Sequence, residues 1–209
     1  MKNAIIWGAA GGIGKALTQK LVNEQYAVLA VSRHPTEMKM ITPHVISTDV
    51  TQPAQVVAAA RMAAEQVPAF DLFLYTAGDI KSIEVAEMNF ADWNRILASN
   101  LTGAFLTSQA SLPFLAPDAQ IVFLGAVQER LRLPGLSAYA AAKAGLEAYA
   151  EALRKETRLK TLVVRPAAVN TPFWSKVPFS MPKNALAPEV LADQLYAAIQ
   201  ERKDGLLDL

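Results

Sequence analysis

The chain has 209 residues, 52% of them hydrophobic, a formal net charge of +1 and no cysteine. That length and apolar content suit one sizeable core, so a single domain over residues 1–209 is expected. The interspersed charges form no basic stripe for nucleic acid or an anionic membrane. The missing thiols exclude disulfides, thiolate metal sites and a cysteine nucleophile, and no uncharged apolar run approaches a membrane span. Lys2 precedes an apolar run too short for a secretory leader, so a soluble, cytoplasmic protein is expected.

Asn3–Trp7 is an apolar run long enough for a buried strand. Gly8-Ala9-Ala10-Gly11-Gly12-Ile13-Gly14 follows, and Lys15 to Val22 has the apolar spacing of a helix. Ala27–Val31 reads as a second strand ending at Ser32-Arg33, and His44–Thr48 as a shorter third ending at Asp49-Val50. Pro53 can open a helix at its first turn, and Ala54 to Val67 is rich in alanine. Asp71–Tyr75 is a fourth strand before Thr76-Ala77-Gly78. Phe90 to Leu115 reads as the longest helix, with Pro113 and Pro117 crowding its end. Gln120–Leu124 is a fifth strand, Ser137 to Thr157 a helix, and Lys160–Val164 a sixth strand stopped by Arg165-Pro166. Pro188 to Arg202 is a last helix, and Gly205 to Leu209 a terminal strand.

Short apolar strands alternating with helices imply a doubly wound parallel α/β sheet of about seven strands, with helices on both faces. Ligands of such sheets bind at the carboxyl ends of the strands. The residues to watch are therefore Gly8 to Gly14, Ser32-Arg33, Asp49-Val50, Thr76 to Gly78, Gly125 to Gln128 and Ala167 to Thr171. Residues 167–187 are the least regular stretch and combine Pro172, Pro178 and Pro182 with Phe173, Trp174 and Phe179. They read either as a substrate-side loop or as a loop packed on the domain surface.

Two stretches carry chemistry. Glycines between a buried strand and a helix let the backbone turn sharply and let an anion such as pyrophosphate approach the free N–H groups of the helix start. The spacing Gly8-x-x-x-Gly12-x-Gly14 also fits a tight turn without a ligand. In Ser137-Ala138-Tyr139-Ala140-Ala141-Ala142-Lys143, Tyr139 and Lys143 share one helix face. An ammonium beside a phenol favours the phenolate, which would make the tyrosine a proton donor or acceptor near neutral pH. An exposed Tyr/Lys pair on a surface helix is the alternative.

Taken together and in order, these motifs resemble the short-chain dehydrogenase/reductase family, from Asn3 to about Thr171. The resemblance implies a single Rossmann-type domain that moves a hydride between a nicotinamide dinucleotide and a small carbonyl, alcohol or quinonoid substrate. It implies that Gly8, Gly12, Ile13 and Gly14 carry the pyrophosphate and adenosine ribose, that Asp49 and Val50 border the adenine, and that Ala77 and Gly78 line the cleft. By the same resemblance Lys143 binds the nicotinamide ribose and tunes Tyr139, the acid/base. Asn100 holds a relay water, and Val169 and Thr171 hold the carboxamide end. The second strand ends in Ser32-Arg33 rather than in a carboxylate, and no acid follows until Glu37. A guanidinium suits a 2′-phosphate, so NADP(H) is expected over NAD(H). A homodimer or homotetramer is also implied; a metal is not.

The chain departs from the family where the family carries a catalytic serine. Counting thirteen residues back from Tyr139 reaches Ala126, and the nearest polar side chain is Gln128. Ala126, Gln128 and Trp174 are thus the expected substrate-side positions. Losing one oxyanion donor typically costs two to three decades in rate, about 3–4 kcal/mol. Dihydropteridine reductases resemble this pattern in lacking that serine, so a quinonoid or imine-like substrate is one reading and a low-turnover NADP-binding sensor or scaffold is the other. Trp7 and Tyr75, in place of smaller polar residues, are expected to pack on each other. Arg130 and Arg132 are either anchors for an acidic substrate or solvated loop charges.

Overall fold

β1 (Asn3–Trp7) lies inside a seven-stranded sheet of order β3-β2-β1-β4-β5-β6-β7. The structure is a computed structural model that describes residues 1–209. The flanking strands are β2 (Ala27–Ser32), β3 (Val45–Ser47), β4 (Phe70–Tyr75), β5 (Leu115–Leu124), β6 (Lys160–Arg165) and β7 (Gly205–Asp208), and every pairing is parallel. The expected doubly wound α/β fold is present. Strand order reverses between β1 and β4, which leaves a crevice at their carboxyl ends.

Alternation along β1 divides the core in two. Ile5 and Trp7 face α2 (Pro53–Ala64), α4 (Gly103–Ser111) and α5 (Ser137–Thr157), meeting Val56, Ala104 and Leu146. Ala4 and Ile6 face α1 (Gly12–Asn23) and α6 (Pro188–Gln200), meeting Leu17, Leu21 and Leu195. Central parallel strands buried on both faces read as unbroken apolar runs, which is why each strand is visible in the sequence. Trp7 and Tyr75 are register partners in one cluster, but the ring beside Tyr75 is Phe123, at 6.5 Å, rather than Trp7.

The long helix expected over Phe90 to Leu115 is not continuous. α3 (Phe90–Leu97) gives way to a π-helical turn at Ala98–Thr102, α4 follows, and a 3-10 turn at Leu112–Phe114 delivers the chain to β5. β5 therefore begins at Leu115, five residues before the apolar run at Gln120, with a register shift against β4 between Phe70 and Leu72. The interruption has a packing cause: the Tyr75 hydroxyl donates to the Ser99 carbonyl at 2.7 Å, and Gly103 lies directly against that hydroxyl. A Cβ at Gly103 would also come within 3.1 Å of Val50 Cγ2. Gly103→Ala is expected to destabilise the protein by about 1–3 kcal/mol through overpacking, read as a lowered urea midpoint with an unchanged slope.

Candidate active site

Gly8 ends β1 with φ +92°, a conformation open to glycine, and its N–H donates to the Val31 carbonyl at 2.8 Å. A Cβ here would lie 2.7 Å from Ala77 Cα, so the ends of β1 and β4 meet backbone to backbone. Gly14 is packed against the Gly8 carbonyl and Thr76 Oγ1. Gly12 faces outward, where its missing Cβ would lie 2.6 Å from Thr171 Cγ2. α1 starts at Gly12 behind a side-chain-less Gly11, so the N–H groups of Gly12, Ile13 and Gly14 have no partner within the helix. Unpartnered N–H groups at a helix start are a place where an anion can bind.

Ser32 closes β2 with its Oγ buried and without a hydrogen-bond partner, and Arg33 beside it is exposed. Glu37, the next acid, pairs with Lys15 at 3.1 Å. Asp49 is a turn-former: its carboxylate accepts from the Thr51 N–H at 2.9 Å and hydroxyl at 2.8 Å. Val50 is buried in the core below that turn.

α5 holds Tyr139 and Lys143 side by side, 8% and 4% exposed. The Lys143 ammonium donates to the Leu124 carbonyl at 2.7 Å and lies 5.6 Å from the centroid of the Tyr139 ring. This differs from an ammonium set against the hydroxyl. Burial dominates both groups: it pushes the Tyr139 phenol up from its ordinary value, whereas the expectation was a lowered one, and it lowers Lys143 to about 8. Asn100, fully buried in the π-helical turn, donates from Nδ2 to the carbonyls of Asp79 (2.6 Å) and Ile96 (2.8 Å). Its Oδ1 has no partner and would lie 2.8 Å from a Cβ at Gly78. The structure thus brings Asn100 to Gly78 and Thr171 to Gly12.

The loop after β6 closes over this edge. Leu186 bridges Val169, the Trp174 indole N–H donates to the Val169 carbonyl at 2.8 Å, and the Phe173 ring tilts onto Tyr139 with centroids 5.8 Å apart. Ile80, Ile96 and Leu136 surround Tyr139 with Phe173 and Phe179 to make an apolar collar. On the opposite side the Gly125-Ala126-Val127 stretch offers no hydroxyl, and Gln128 Nε2 is engaged by Glu147 at 3.0 Å. Arg130 and Arg132 are solvent-exposed. Sequence reasoning missed Phe173 as a partner of Tyr139, although its aromatic, proline-rich surroundings marked the loop. It also missed the ion pair of Lys176 with Asp79 at 2.7 Å, which spans 97 residues and leaves no local pattern.

The short chain dehydrogenase family profile matches residues 2–180. The chain belongs to this family. A 2-dehydro-3-deoxy-L-rhamnonate dehydrogenase (NAD(+)) of Sphingomonas sp. is 29% identical over 188 residues, covering 85% of this chain and 76% of that protein. An uncharacterized oxidoreductase of Staphylococcus epidermidis is 27% identical over 95% of this chain and 91% of its own. Among solved structures, the alcohol dehydrogenase from Thermococcus sibiricus complexed with 5-hydroxy-NADP superposes with a TM-score of 0.92 at 22% identity, covering 100% of this chain and 96% of that one. A short-chain dehydrogenase/reductase from Serratia marcescens gives 0.87 at 19% over 99% and 96%. As a short chain dehydrogenase, the protein is an NAD(P)-dependent oxidoreductase that transfers hydride. No helix is long and apolar enough to cross a membrane.

The buried lysine sets a pH signature. With Lys143 near 8 when folded and near the ordinary 10.5 when unfolded, the unfolded chain binds more proton between those values, so stability rises with pH across that window. The contribution is about 3 kcal/mol if fully expressed. Phenols held up by burial oppose it only above about pH 10, where unfolded tyrosines ionise. Urea unfolding at pH 7.5 to 9.5 is expected to show rising stability in the parent and a flatter profile in Lys143→Met.

Proposed function

We propose that the protein is an NADP(H)-dependent oxidoreductase that interconverts a carbonyl and an alcohol, or reduces a quinonoid or imine-like group, on an apolar small molecule. One observation carries this reading: Tyr139 and Lys143 are buried side by side beneath Phe173 at the crevice edge. Tyr139, held protonated by burial, donates its phenolic proton to the substrate oxygen or nitrogen. Lys143, fixed by the Leu124 carbonyl and lying over the ring, stabilises the phenolate left behind. Asn100 holds a relay water through its unpartnered Oδ1. When bound, the dinucleotide supplies or accepts the hydride. The apolar collar excludes water, and residues 167–187 serve as the substrate-side loop, with Trp174 pinning its start.

The residues fit a phosphorylated dinucleotide. The free N–H groups at Gly12, Ile13 and Gly14 suit its pyrophosphate, with Asp49 and Val50 bordering the adenine, Ala77 and Gly78 lining the cleft and Val169 and Thr171 at the carboxamide end. The unpartnered Ser32 hydroxyl and the Arg33 guanidinium suit a 2′-phosphate, while Glu37 is occupied by Lys15. The Thermococcus alcohol dehydrogenase is complexed with 5-hydroxy-NADP and the Sphingomonas enzyme's name carries NAD(+), so the choice is supported by this chain's own β2 end.

The second reading, a low-turnover NADP-binding sensor or scaffold, is favoured by the hydroxyl-free Gly125-Ala126-Val127 stretch and by a Gln128 amide directed at Glu147. We favour the enzyme, because a pure binder needs no buried Tyr/Lys pair. With one oxyanion donor missing, activated acceptors such as quinones suit the site better than simple ketones. A homodimer or homotetramer is part of the proposal, supported by Phe105, 40% exposed and stacked edge-on against Tyr149 across α4 and α5.

Fluorescence titration with NADPH and NADH, followed by turnover on ketones, quinones and a quinonoid pterin, tests the proposal. Tyr139→Phe is expected to abolish turnover and leave NADPH affinity nearly unchanged; surviving activity would overturn the proton-donor role. Arg33→Ala is expected to weaken NADPH roughly ten- to hundredfold, the value of a charge-assisted contact, with little effect on NADH.

A further inference from the structure

The geometry points to Lys176 as a pyrophosphate-binding residue that gives up Asp79 and takes the bridging phosphates when the dinucleotide enters. This inference rests on the dinucleotide reading of the crevice and goes beyond it, since neither the glycine turn nor the Tyr/Lys pair calls for a cation in the substrate-side loop.

Lys176 ends the 3-10 turn Pro172–Lys176, directly after Thr171, whose methyl lies on Gly12 at the head of α1. Its ammonium crosses to the Asp79 carboxylate at 2.7 Å. Asp79 follows Gly78 at the end of β4. One ion pair therefore ties the loop after β6, which packs at Thr171 against Gly12, to the segment that follows β4 beside the β1/β4 crevice.

The charge around that pair is unbalanced. Asp79 also pairs with Arg95, Arg95 with Asp92 at 3.1 Å, and Asp92 with Lys81 at 3.0 Å. Burial lowers the pKa of Lys176, and the nearby Arg33 and Arg95 guanidiniums lower it further. Three cations (Lys81, Arg95 and Lys176) thus share two carboxylates (Asp79 and Asp92), and the Arg33 guanidinium adds a further positive charge beside Lys176. A half-exposed lysine–carboxylate pair is weak, whereas an ammonium on a phosphate that also accepts from a helix N-terminus is a stronger, charge-assisted contact. Pyrophosphate entry therefore exchanges the poorer partner for the better one and keeps the loop beside the crevice.

The test is fluorescence titration of the intact protein with NADPH and with NADH, at two salt concentrations, for the parent, Lys176→Met, Asp79→Asn and the double variant, with thermal unfolding as the folding control. Lys176→Met is expected to weaken both dinucleotides about tenfold and to keep their ratio, because both carry the pyrophosphate. Its salt dependence is expected to be shallower. Asp79→Asn is expected to tighten both a few-fold, and only while Lys176 is present. Unchanged affinity in Lys176→Met overturns the inference, as does a loss confined to NADPH, which would assign the lysine to the 2′-phosphate. Weaker binding in Asp79→Asn also overturns it, because Asp79 would then be a ligand contact. A parent that binds neither dinucleotide sinks the functional reading and this inference with it, whereas a parent that binds while Lys176→Met matches it sinks this inference alone.

Discussion

The ends of β1 and β4 approach until no side chain fits between them. At Gly8 the backbone turns with φ +92° against the backbone of Ala77, and Gly14 closes in behind against the Gly8 carbonyl and Thr76. That contact places the head of α1, with its unpaired N–H groups, at the crevice where strand order reverses. Everything at the site is measured from it. Thr171 rests on Gly12, Gly78 faces Asn100, and the loop after β6 reaches back to the residue that follows Gly78.

The second constraint is the burial of the Tyr139/Lys143 pair. Tyr139 and Lys143 sit in a low-dielectric layer between α5 and the loop, and desolvation moves their proton affinities in opposite directions. The phenol keeps its proton and the ammonium is poised to lose its own near pH 8. A carbonyl of the central sheet, that of Leu124, is the hydrogen-bond partner that makes this burial tolerable for the lysine. Lys143 and the hydrophobic core therefore share β5 as an anchor.

Much of this was legible in the residues themselves. Strands buried on both faces show as apolar runs, so Asn3–Trp7, Ala27–Val31 and Lys160–Val164 are visible at nearly their true bounds, and the spacing shows the strand-to-helix turn at Gly8 to Gly14 and the shared helix face of Tyr139 and Lys143. Phe90 to Leu115 is not legible as α3, a π turn, α4 and a 3-10 turn, because the break answers to Tyr75, on another strand. β5 started early because Leu115 pairs with Phe70, a long-range contact with no local signature. The same holds for Phe173 on Tyr139. The upward shift of Tyr139 is not legible in the spacing, which shows a neighbouring charge and conceals the depth of burial.

The π-helical turn at Ala98–Thr102 has an evolutionary consequence. A π turn accommodates one residue more than an α-helix does, and each residue rotates a helix by about 100°. Relative to an uninterrupted helix, α4 is therefore rotated against α3, so that Ile96 can face the apolar collar while Gly103 and Ala104 face the sheet. Asn100 stands at the junction, inside both layers. Losing a single residue from this turn would leave two good helices and a full core, yet would point one of those faces the wrong way. The length of this segment is therefore as constrained as the identities of Asn100 within it and Gly103 at its end.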